Sequence, residues 1–296
     1  MAALVMTELK TVGILLTWAR QSLDLAGVSN AAQEAMWLLE YALGVQSHQL
    51  VSEVERLVPP DAWTRAESLV TRRVAREPLQ YLLGTQDFCG LEFSVSPAVL
   101  IPRPETELLI REVARYVESK PKAVIVDVGT GSGCVAVTLA SLLSGTRILA
   151  IDQSPEALAV AKANAARHGV GDKIEWLEGD LLAPLRERRP AGSVNVIVSN
   201  PPYISEADWA GLEPEVRVFE PRLALVGGQK GTEFHNRLLQ DSREFLVPGG
   251  LLVMEIGQGQ APAVRQITEQ VGGYAALRMV EDAAGIERMV IAQRLR

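Results

Sequence analysis

Four consecutive residues, Asn200-Pro201-Pro202-Tyr203, carry the groups needed to hold a planar nitrogen during a reaction. The two prolines fix an extended backbone with little conformational freedom. The Asn200 side-chain carbonyl and the Pro201 main-chain carbonyl could then accept both hydrogens of one NH2 group, while Tyr203 offers a flat ring. An amide or aromatic amino nitrogen is a poor nucleophile because its lone pair is delocalised. Two such hydrogen bonds would return electron density to that nitrogen.

The tetrapeptide leaves the substrate open, because adenine N6, cytosine N4, guanine N2 and glutamine N5 are all planar NH2 groups. The alternative interpretation is that the tetrapeptide is only a Pro-Pro turn that ends a strand. The three histidines, His48, His168 and His235, lie outside the motif. We therefore predict no general base, and none is required if the proton leaves after transfer.

A glycine-rich segment, Asp127–Gly133, follows an apolar run and precedes a helical one. Its spacing is Gly-x-Gly-x-Gly with an acid two residues earlier, which differs from the dinucleotide pattern Gly-x-Gly-x-x-Gly. Asp152 ends the next apolar run, where an acid can bind both hydroxyls of a ribose. S-adenosylmethionine has a ribose and a cationic amino acid part but no phosphate, so this acidic loop suits it better than a pyrophosphate. The alternative is that Asp127 only caps backbone amides and Asp152 only caps the next helix.

Asp180 and Leu181 follow the third apolar run, where α/β folds that bind S-adenosylmethionine usually contact the adenine. Leu181 would supply an apolar face there. An ordinary turn is the competing interpretation. The sequence motifs thus predict nine residues that contact the cofactor. They are Asp127, Gly129, Thr130, Gly131, Ser132, Gly133, Asp152, Asp180 and Leu181.

The first part of the chain is predicted to be helical. Residues 1–80 carry apolar side chains at helical spacing, interrupted at Asn30, Gly44 and Pro59-Pro60, which predicts an all-α domain of four or five helices. Residues 81–102 switch to short apolar runs around glycines, which predicts a β-hairpin linker.

Residues 103–296 alternate strand and helix patterns, which predicts an α/β domain with a mostly parallel sheet covered by helices on both faces. The last two candidate strands are separated by a short loop, so one of them is expected to be antiparallel at the edge. Seven strands of this kind match the class I methyltransferase fold. The candidates are Ala123–Val128, Arg147–Ile151, Ile174–Leu177, Val194–Val198, Leu251–Ile256, Leu277–Val280 and Met289–Ala292.

Composition narrows the class of protein. The formal net charge is -7 and the isoelectric point is about 5.2, which argues against a standing nucleic-acid-binding surface. Two distant cysteines, Cys89 and Cys134, predict neither a disulfide framework nor a metal site. Residues 1–16 mix Glu8 and Lys10 into an apolar run, unlike a signal peptide or membrane span. We expect a cytoplasmic monomer.

Several segments together resemble the release-factor glutamine methyltransferases, the PrmC/HemK family. The similarity covers essentially the whole chain and is strongest from residue 76 onward. Its Pro-Arg-Pro-Glu-Thr-Glu stretch differs from the related enzymes that act on a ribosomal-protein glutamine. The segments are Arg76–Gly84, Phe88–Phe93, Leu100–Glu107, Asp127–Gly133, Asn200–Tyr203, Glu220–Leu225 and Glu255–Gly257.

The resemblance implies methyl transfer from S-adenosylmethionine, leaving S-adenosylhomocysteine and using no metal. The implied acceptor is N5 of the glutamine in the Gly-Gly-Gln motif of peptide chain release factors, held partly by the helical domain. It adds Asn200 to the cofactor contacts and assigns Asn200–Tyr203 to the substrate, with Asn200, Pro201 and Tyr203 as catalytic residues. Some relatives have an aromatic residue in place of Leu181.

Other function classes compete with this interpretation. An N-methyltransferase acting on a nucleic-acid base would use the same tetrapeptide, although an acidic chain offers no obvious base-flipping module. A ribosomal-protein glutamine is a second alternative substrate. A cofactor-binding regulatory protein would not need Asn200–Tyr203, and a nicotinamide dehydrogenase would need a different glycine spacing.

Two further patterns invite a functional interpretation. Arg65, Arg72, Arg73 and Arg76 have helical spacing and form either a solvated face or a docking patch for an acidic partner. Gly227-Gly228-Gln229 spells the motif of the implied substrate, but a glycine turn is the interpretation we favour.

Overall fold

A computed structural model describes residues 10–295, apart from the side chain of Ala276. They form two compact units: the chain up to Gly84 together with Pro214–Phe219, and Thr85–Glu213 together with the chain from Glu220 onward. The division falls after Gly84, and the predicted hairpin belongs to the second unit. The part of the helical prediction that covers residues 1–9 lies outside the described residues. A substrate-recognition role for the first unit stays a prediction.

The described residues of the first unit form five α-helices and a π-helical turn at Glu215–Phe219. Their bounds are α1 Val12–Leu25, α2 Ala31–Leu43, α3 Ser47–Ser52, α4 Pro60–Val74 and α5 Leu79–Leu83. The predicted breakers lie at their ends: Gly44 adopts φ +65° after α2, and Pro60 occupies the first turn of α4. Thr11 caps α1, with its side chain accepting a hydrogen bond from Ile14 N. Leu15, Leu38 and Val70 lie in its buried core.

The arginines of α4 and the residues after it bind carboxylates of their own unit. Arg73 is buried and pairs with Glu34 at 2.6 Å and with Glu215 at 2.9 Å. Arg76 also pairs with Glu215, at 2.8 Å, and donates to the Gly27 carbonyl. A docking patch that includes Arg73 is therefore wrong, because its guanidinium is enclosed and holds the segment Pro214–Phe219. The exposed Arg72 is paired with Glu77 at 2.6 Å.

The second unit carries the β-strands and the remaining α-helices, joined in places by short 3-10 helices. In chain order they are β1 Thr85–Phe88, β2 Leu91–Ser94, α6 Glu107–Val117, β3 Val124–Val128, α7 Cys134–Leu142, β4 Arg147–Asp152, α8 Pro155–Arg167, β5 Ile174–Glu178, β6 Val194–Ser199, β7 Ile204–Ser205, β8 Val226–Gly228, α9 Glu233–Phe245, β9 Leu246–Glu255, α10 Ala261–Val271, β10 Tyr274–Glu281 and β11 Glu287–Arg294. Strands β1 and β2 form the antiparallel hairpin, and β7 pairs with β8 in parallel.

Seven strands form the central sheet in the order β10-β11-β9-β6-β3-β4-β5. All pairings from β9 to β5 are parallel, and β11 is antiparallel to both neighbours. Successive strand residues belong to opposite cores: Ile125 packs in one apolar cluster and Val126 in the other. The sheet is therefore buried on both faces, and the predicted class I methyltransferase fold is confirmed. The expected antiparallel edge strand is wrong in its place: the antiparallel strand is β11, inside the sheet, and the edge strand β10 runs in the same direction as β9.

Strand β9 begins earlier than the apolar run indicated, at Leu246. Pro248, Gly249 and Gly250 look like a break in the sequence, but they lie within the strand. The register between β6 and β9 shifts at this point, between Val194 and Val196, which accommodates them. Among residues 10–295, no helix is long and apolar enough to cross a bilayer.

Candidate active site

The tetrapeptide Asn200–Tyr203 leaves the sheet at the carboxyl end of β6, between the ends of β3 and β9. The glycine-rich segment follows β3, and Glu255 is the last residue of β9. In a parallel sheet these carboxyl ends share one edge, where ligands bind. One cleft at this edge is lined by both predicted motifs, including Asp127, Gly131, Asp152 and Asn200.

A chain of side-chain hydrogen bonds lies beneath the tetrapeptide. Asn200 Nδ2 donates to Thr106 Oγ1 at 3.2 Å, and Thr106 Oγ1 donates to Glu255 Oε2 at 2.7 Å. The other oxygen of the same carboxylate, Oε1, accepts from the Tyr203 hydroxyl at 3.2 Å. Thr106 and Glu255 are both buried. Sequence patterns placed these two residues only among similar segments and assigned them no role.

Burial controls the ionisation of this cluster. It raises the pKa of Glu255 to about 7, while the donors Thr106 and Tyr203 oppose the shift. Burial and the neighbouring Glu255 carboxylate raise the pKa of Tyr203 well above its ordinary value, so the phenol stays protonated. His235 Nε2 bonds to the Glu255 carbonyl at 2.8 Å, and burial lowers the pKa of this imidazole to about 4. His235 is therefore neutral and enclosed, which makes it a poor general base.

Glycines allow the backbone of residues 227–231 to lie in close contact with the backbone of the tetrapeptide. A side chain at Gly227 would overlap the Pro202 carbonyl, and one at Gly231 would overlap the Tyr203 carbonyl. Gln260 Nε2 donates to that same Tyr203 carbonyl at 2.8 Å. Gly227-Gly228 ends β8, which pairs with the strand just after Tyr203. The Gly-Gly-Gln resemblance to the implied substrate thus has a packing explanation.

The segment Ile101–Thr106 is fixed by a second buried acid. Glu220 Oε2 accepts from Ile101 N at 3.1 Å, and its Oε1 pairs with Arg103. Arg103 and Thr106 both line the cleft. The similar segments Leu100–Glu107 and Glu220–Leu225, remote in sequence, therefore meet at one wall of the site.

The glycine-rich segment forms the opposite wall. Gly129 and Gly131 adopt φ +72° and +55°, and among residues 10–295 no atom beyond the glycine and its two chain neighbours lies closer than 4.0 Å to a Cβ added at either position. Gly133 has a different function: a side chain there would lie 3.0 Å from Ala161 Cβ, so the glycine allows α8 to pack closely. Asn164 of α8 holds the Ser132 carbonyl at 2.9 Å.

The two acids brace this segment. Asp127 Oδ2 accepts from Thr130 Oγ1 at 2.6 Å and from Ala136 N at 3.2 Å. Asp152 Oδ2 accepts from Gly131 N at 2.8 Å, and its Oδ1 accepts from Ser154 N at 3.0 Å. Asp127 thus holds groups of its own loop and of α7, but the N-cap of α8 is Ser154, so the alternative that Asp152 caps this helix is wrong. Asp152 also lines the cleft, where a carboxylate can accept hydrogen bonds from a pair of vicinal hydroxyls.

The far end of the cleft combines a turn with a helix. Leu181 has φ +48°, a left-handed conformation that is uncommon outside glycine, and lines the cleft. Asp180 is exposed and pairs with Arg237 at 2.5 Å, and Arg237 also lies 5.8 Å from the ring centre of Phe234. Phe234 lines the same cleft and supplies an aromatic surface that sequence patterns did not indicate.

Comparisons with known proteins agree with this geometry. Residues 15–84 match the family model "PrmC N-terminal domain", and residues 104–211 match "Methyltransferase small domain". The release factor glutamine methyltransferase of Geobacter sulfurreducens is 42% identical over 283 residues, covering 96% of each chain. That of Moorella thermoacetica is 41% identical over 276 residues, covering 93% of this chain and 96% of the relative.

The chain belongs to the release factor glutamine methyltransferase family. The resemblance and the methyltransferase class predicted from the sequence are confirmed. The solved N-terminal domain of human METTL16 in complex with SAH has a TM-score of 0.50 and 20% identity, covering 70% of this chain and 76% of that one. At that identity the likeness shows the fold alone.

Every predicted site residue of this family member lies at the sheet edge described above. Tyr203 differs from the others: its hydroxyl points to Glu255, and it borders a second, polar cleft with Lys230 and Gln260. The individual roles assigned to these residues stay predictions. Thr106, Glu255 and Phe234 are the residues that sequence reasoning missed.

Proposed function

We propose that this protein transfers a methyl group from S-adenosylmethionine to N5 of the glutamine in the Gly-Gly-Gln motif of peptide chain release factors. The observation that carries the proposal is the cleft that the glycine-rich segment shares with Asn200, Pro201 and Pro202. The full-length similarity to relatives named for this activity supports the choice of acceptor. Release factors act in the cytoplasm, where we place the reaction. A monomeric state stays a prediction.

The residues of the cleft fit the proposed cofactor. Two carboxylates, Asp127 and Asp152, lie on one wall, and the basic Arg103 on the other wall is already paired with Glu220. Such a site favours a cation over a phosphate. Asp152 would hold the ribose, while Leu181 and Phe234 would cover the adenine. When bound, S-adenosylmethionine supplies a methyl group on a positively charged sulfur.

The tetrapeptide would hold the acceptor. Asn200 Oδ1 and the Pro201 carbonyl would accept the two amide hydrogens, while the Tyr203 ring packs against the amide plane. These contacts raise the electron density on nitrogen and fix its direction, and positioning of this kind contributes several kcal/mol to a two-substrate reaction. No side chain needs to take the proton, because methyl transfer first gives a positively charged amide nitrogen, and this strongly acidic cation loses one proton to water.

The first prediction is a mass change in the substrate. Incubation of an unmethylated release factor with this protein and S-adenosylmethionine should add one methyl group to the Gly-Gly-Gln glutamine, located by mass spectrometry of the peptide. Asn200→Ala should give no product in the same time, because it removes an acceptor of the amide hydrogens. An unmodified release factor with cofactor binding intact would overturn the proposal and favour a base or a ribosomal-protein glutamine.

The second prediction concerns the pH dependence of cofactor binding. Burial raises the pKa of Asp127 to about 7, with a further contribution from Asp152. A nearby cation lowers such a pKa, so binding releases a proton and affinity should rise between about pH 6 and 8. In the ligand-free protein the same shift acts oppositely: Asp127 stabilises the fold below its unfolded pKa, and this contribution is lost as pH rises through about 7.

Isothermal titration calorimetry across that pH range measures the effect. Asp127→Asn is the matched variant, since its amide oxygen still accepts from Thr130 and Ala136 but carries no charge. It should bind with a flatter pH profile than the wild type. Equal slopes for the two proteins would show that Asp127 does not sense the cofactor.

A further inference from the structure

We propose that Thr106 and Glu255 are positioning residues that set which way the Asn200 amide faces. The inference rests on the proposed function for its catalytic consequence, although the hydrogen-bond chain itself lies entirely within the protein. No sequence pattern indicates a role for either residue. Thr106 precedes α6 and Glu255 ends β9, so two separate elements converge on the residue that follows β6.

The direction of the chain follows from counting hydrogens. A threonine hydroxyl has a single hydrogen, and the Glu255 carboxyl can only accept in its ionised form, which prevails above its pKa of about 7. Thr106 therefore donates its hydrogen to Glu255 Oε2, at 2.7 Å. The Thr106 oxygen is then left as an acceptor, and the atom of Asn200 that meets it at 3.2 Å must be the donor Nδ2.

Amide orientation decides whether the site can work. With Nδ2 held by Thr106, Oδ1 remains available as an acceptor for an N–H of the substrate. A flipped Asn200 would direct its own N–H groups toward the substrate NH2, and two donors cannot bond to each other. In an uncoupled side chain both orientations cost similar energy, so the selection must come from a neighbour. Thr106, directed by Glu255, is that neighbour.

The same carboxylate also holds the second side chain of the motif. Glu255 Oε1 accepts from the Tyr203 hydroxyl at 3.2 Å, which restrains the ring. Glu255 is 3% exposed, so these bonds form away from bulk water and are correspondingly strong. One buried acid thus orders both the acceptor amide and the flat ring, and it does so without touching the substrate.

Three variants separate this role from simple packing. Thr106→Val keeps the volume but removes the hydroxyl, and Thr106→Ser keeps the hydroxyl. In Glu255→Gln the new amide can donate to the Thr106 oxygen, which reverses the chain and favours the flipped Asn200. We expect Thr106→Val and Glu255→Gln to lower kcat by about 100-fold with the KM for S-adenosylmethionine little changed. Thr106→Ser should restore kcat to within about fivefold of the wild type.

A direct readout does not depend on the substrate. The chain has only five asparagines, so selective 15N-asparagine labelling yields few side-chain NH2 signals, and Asn200→Asp identifies the one that belongs to Asn200. In the wild type and Thr106→Ser one Asn200 Nδ2 proton should show the shift and slow exchange of a hydrogen bond. That signature should be lost in Thr106→Val.

The two readouts distinguish the possible failures. An Asn200 signal unchanged by Thr106→Val, or a Thr106→Ser variant as slow as Thr106→Val, overturns the positioning role. A wild-type protein that leaves release factors unmethylated overturns the proposed function instead, and the NH2 signal still decides the orientation of Asn200. Thermal unfolding of each variant checks that lost activity is not lost structure.

Discussion

Asn200→Ala is expected to lower kcat for glutamine methylation by at least about 1000-fold, because it removes a hydrogen-bond acceptor aimed at the reacting nitrogen in an enclosed site. The change also leaves Thr106 Oγ1 without the Asn200 donor that meets it at 3.2 Å. Affinity for S-adenosylmethionine should fall much less, since the glycine-rich segment and Asp152 remain. Single-turnover rates with saturating cofactor, together with calorimetric binding, measure the two effects separately.

Asn236→Ala is the matched control for this substitution. Asn236 lies on α9, where its side chain accepts only from the exposed Gln240. It should retain wild-type kcat within about twofold. Asn200→Asp adds a test of charge, because a second carboxylate beside Thr106 and Glu255 would repel the buried acid. If Asn200→Ala retained more than about a tenth of the wild-type rate, the proposed acceptor contact would be wrong.

Gly231→Ala is expected to reduce kcat by at least about 100-fold through displacement of the backbone that carries Tyr203. Gly231 has φ +75°, and an added Cβ would overlap the Tyr203 carbonyl and lie 2.9 Å from Gln260 Nε2. That carbonyl belongs to the chain backbone, so it cannot move without shifting the tetrapeptide. The measurements are kcat and the melting temperature of the purified variant.

Gly259→Ala separates the clash from backbone strain. Gly259 has φ +82°, close to that of Gly231, but a Cβ there would meet nothing within 4 Å. It should therefore incur only the left-handed strain, about 1 to 2 kcal/mol, and keep most of its activity. Equal losses of kcat in the two variants would mean that strain, rather than contact with the tetrapeptide, is the cause.

Much of the fold could be predicted because its signals are local. The apolar runs of β3, β4 and β6 are short, as expected of strands buried on both faces. Gly44 and Pro60 mark helix ends through their own backbone preferences. The apolar run Leu251–Ile256 predicts only part of β9, because Pro248 and two glycines interrupt the apolar pattern, and the register shift opposite β6 accommodates these residues within the strand.

The site was predictable only where its residues are contiguous. The glycine-rich segment and the tetrapeptide each present their chemistry in one stretch of sequence. Thr106 and Glu255 meet across 149 positions, and no pattern within either segment indicates the hydrogen bond between them. The predicted docking patch is wrong at Arg73 for the same reason. Helical spacing places Arg73 on one face of a helix, but its partner Glu215 lies 142 residues away.

The segment Pro214–Phe219 has a consequence for how the chain folds during synthesis. This segment belongs to the same unit as the helices up to Gly84, although Thr85–Glu213 lies between them and is translated before the segment. When those helices leave the ribosome, Arg73 has Glu34 available, but Glu215 has not yet been made. The first unit can therefore form its Arg73–Glu215 ion pair only after strands β3 to β6 of the central sheet have been synthesised. Order along the chain and order of completion are different here, and a fragment that ends at Gly84 is an unfinished domain.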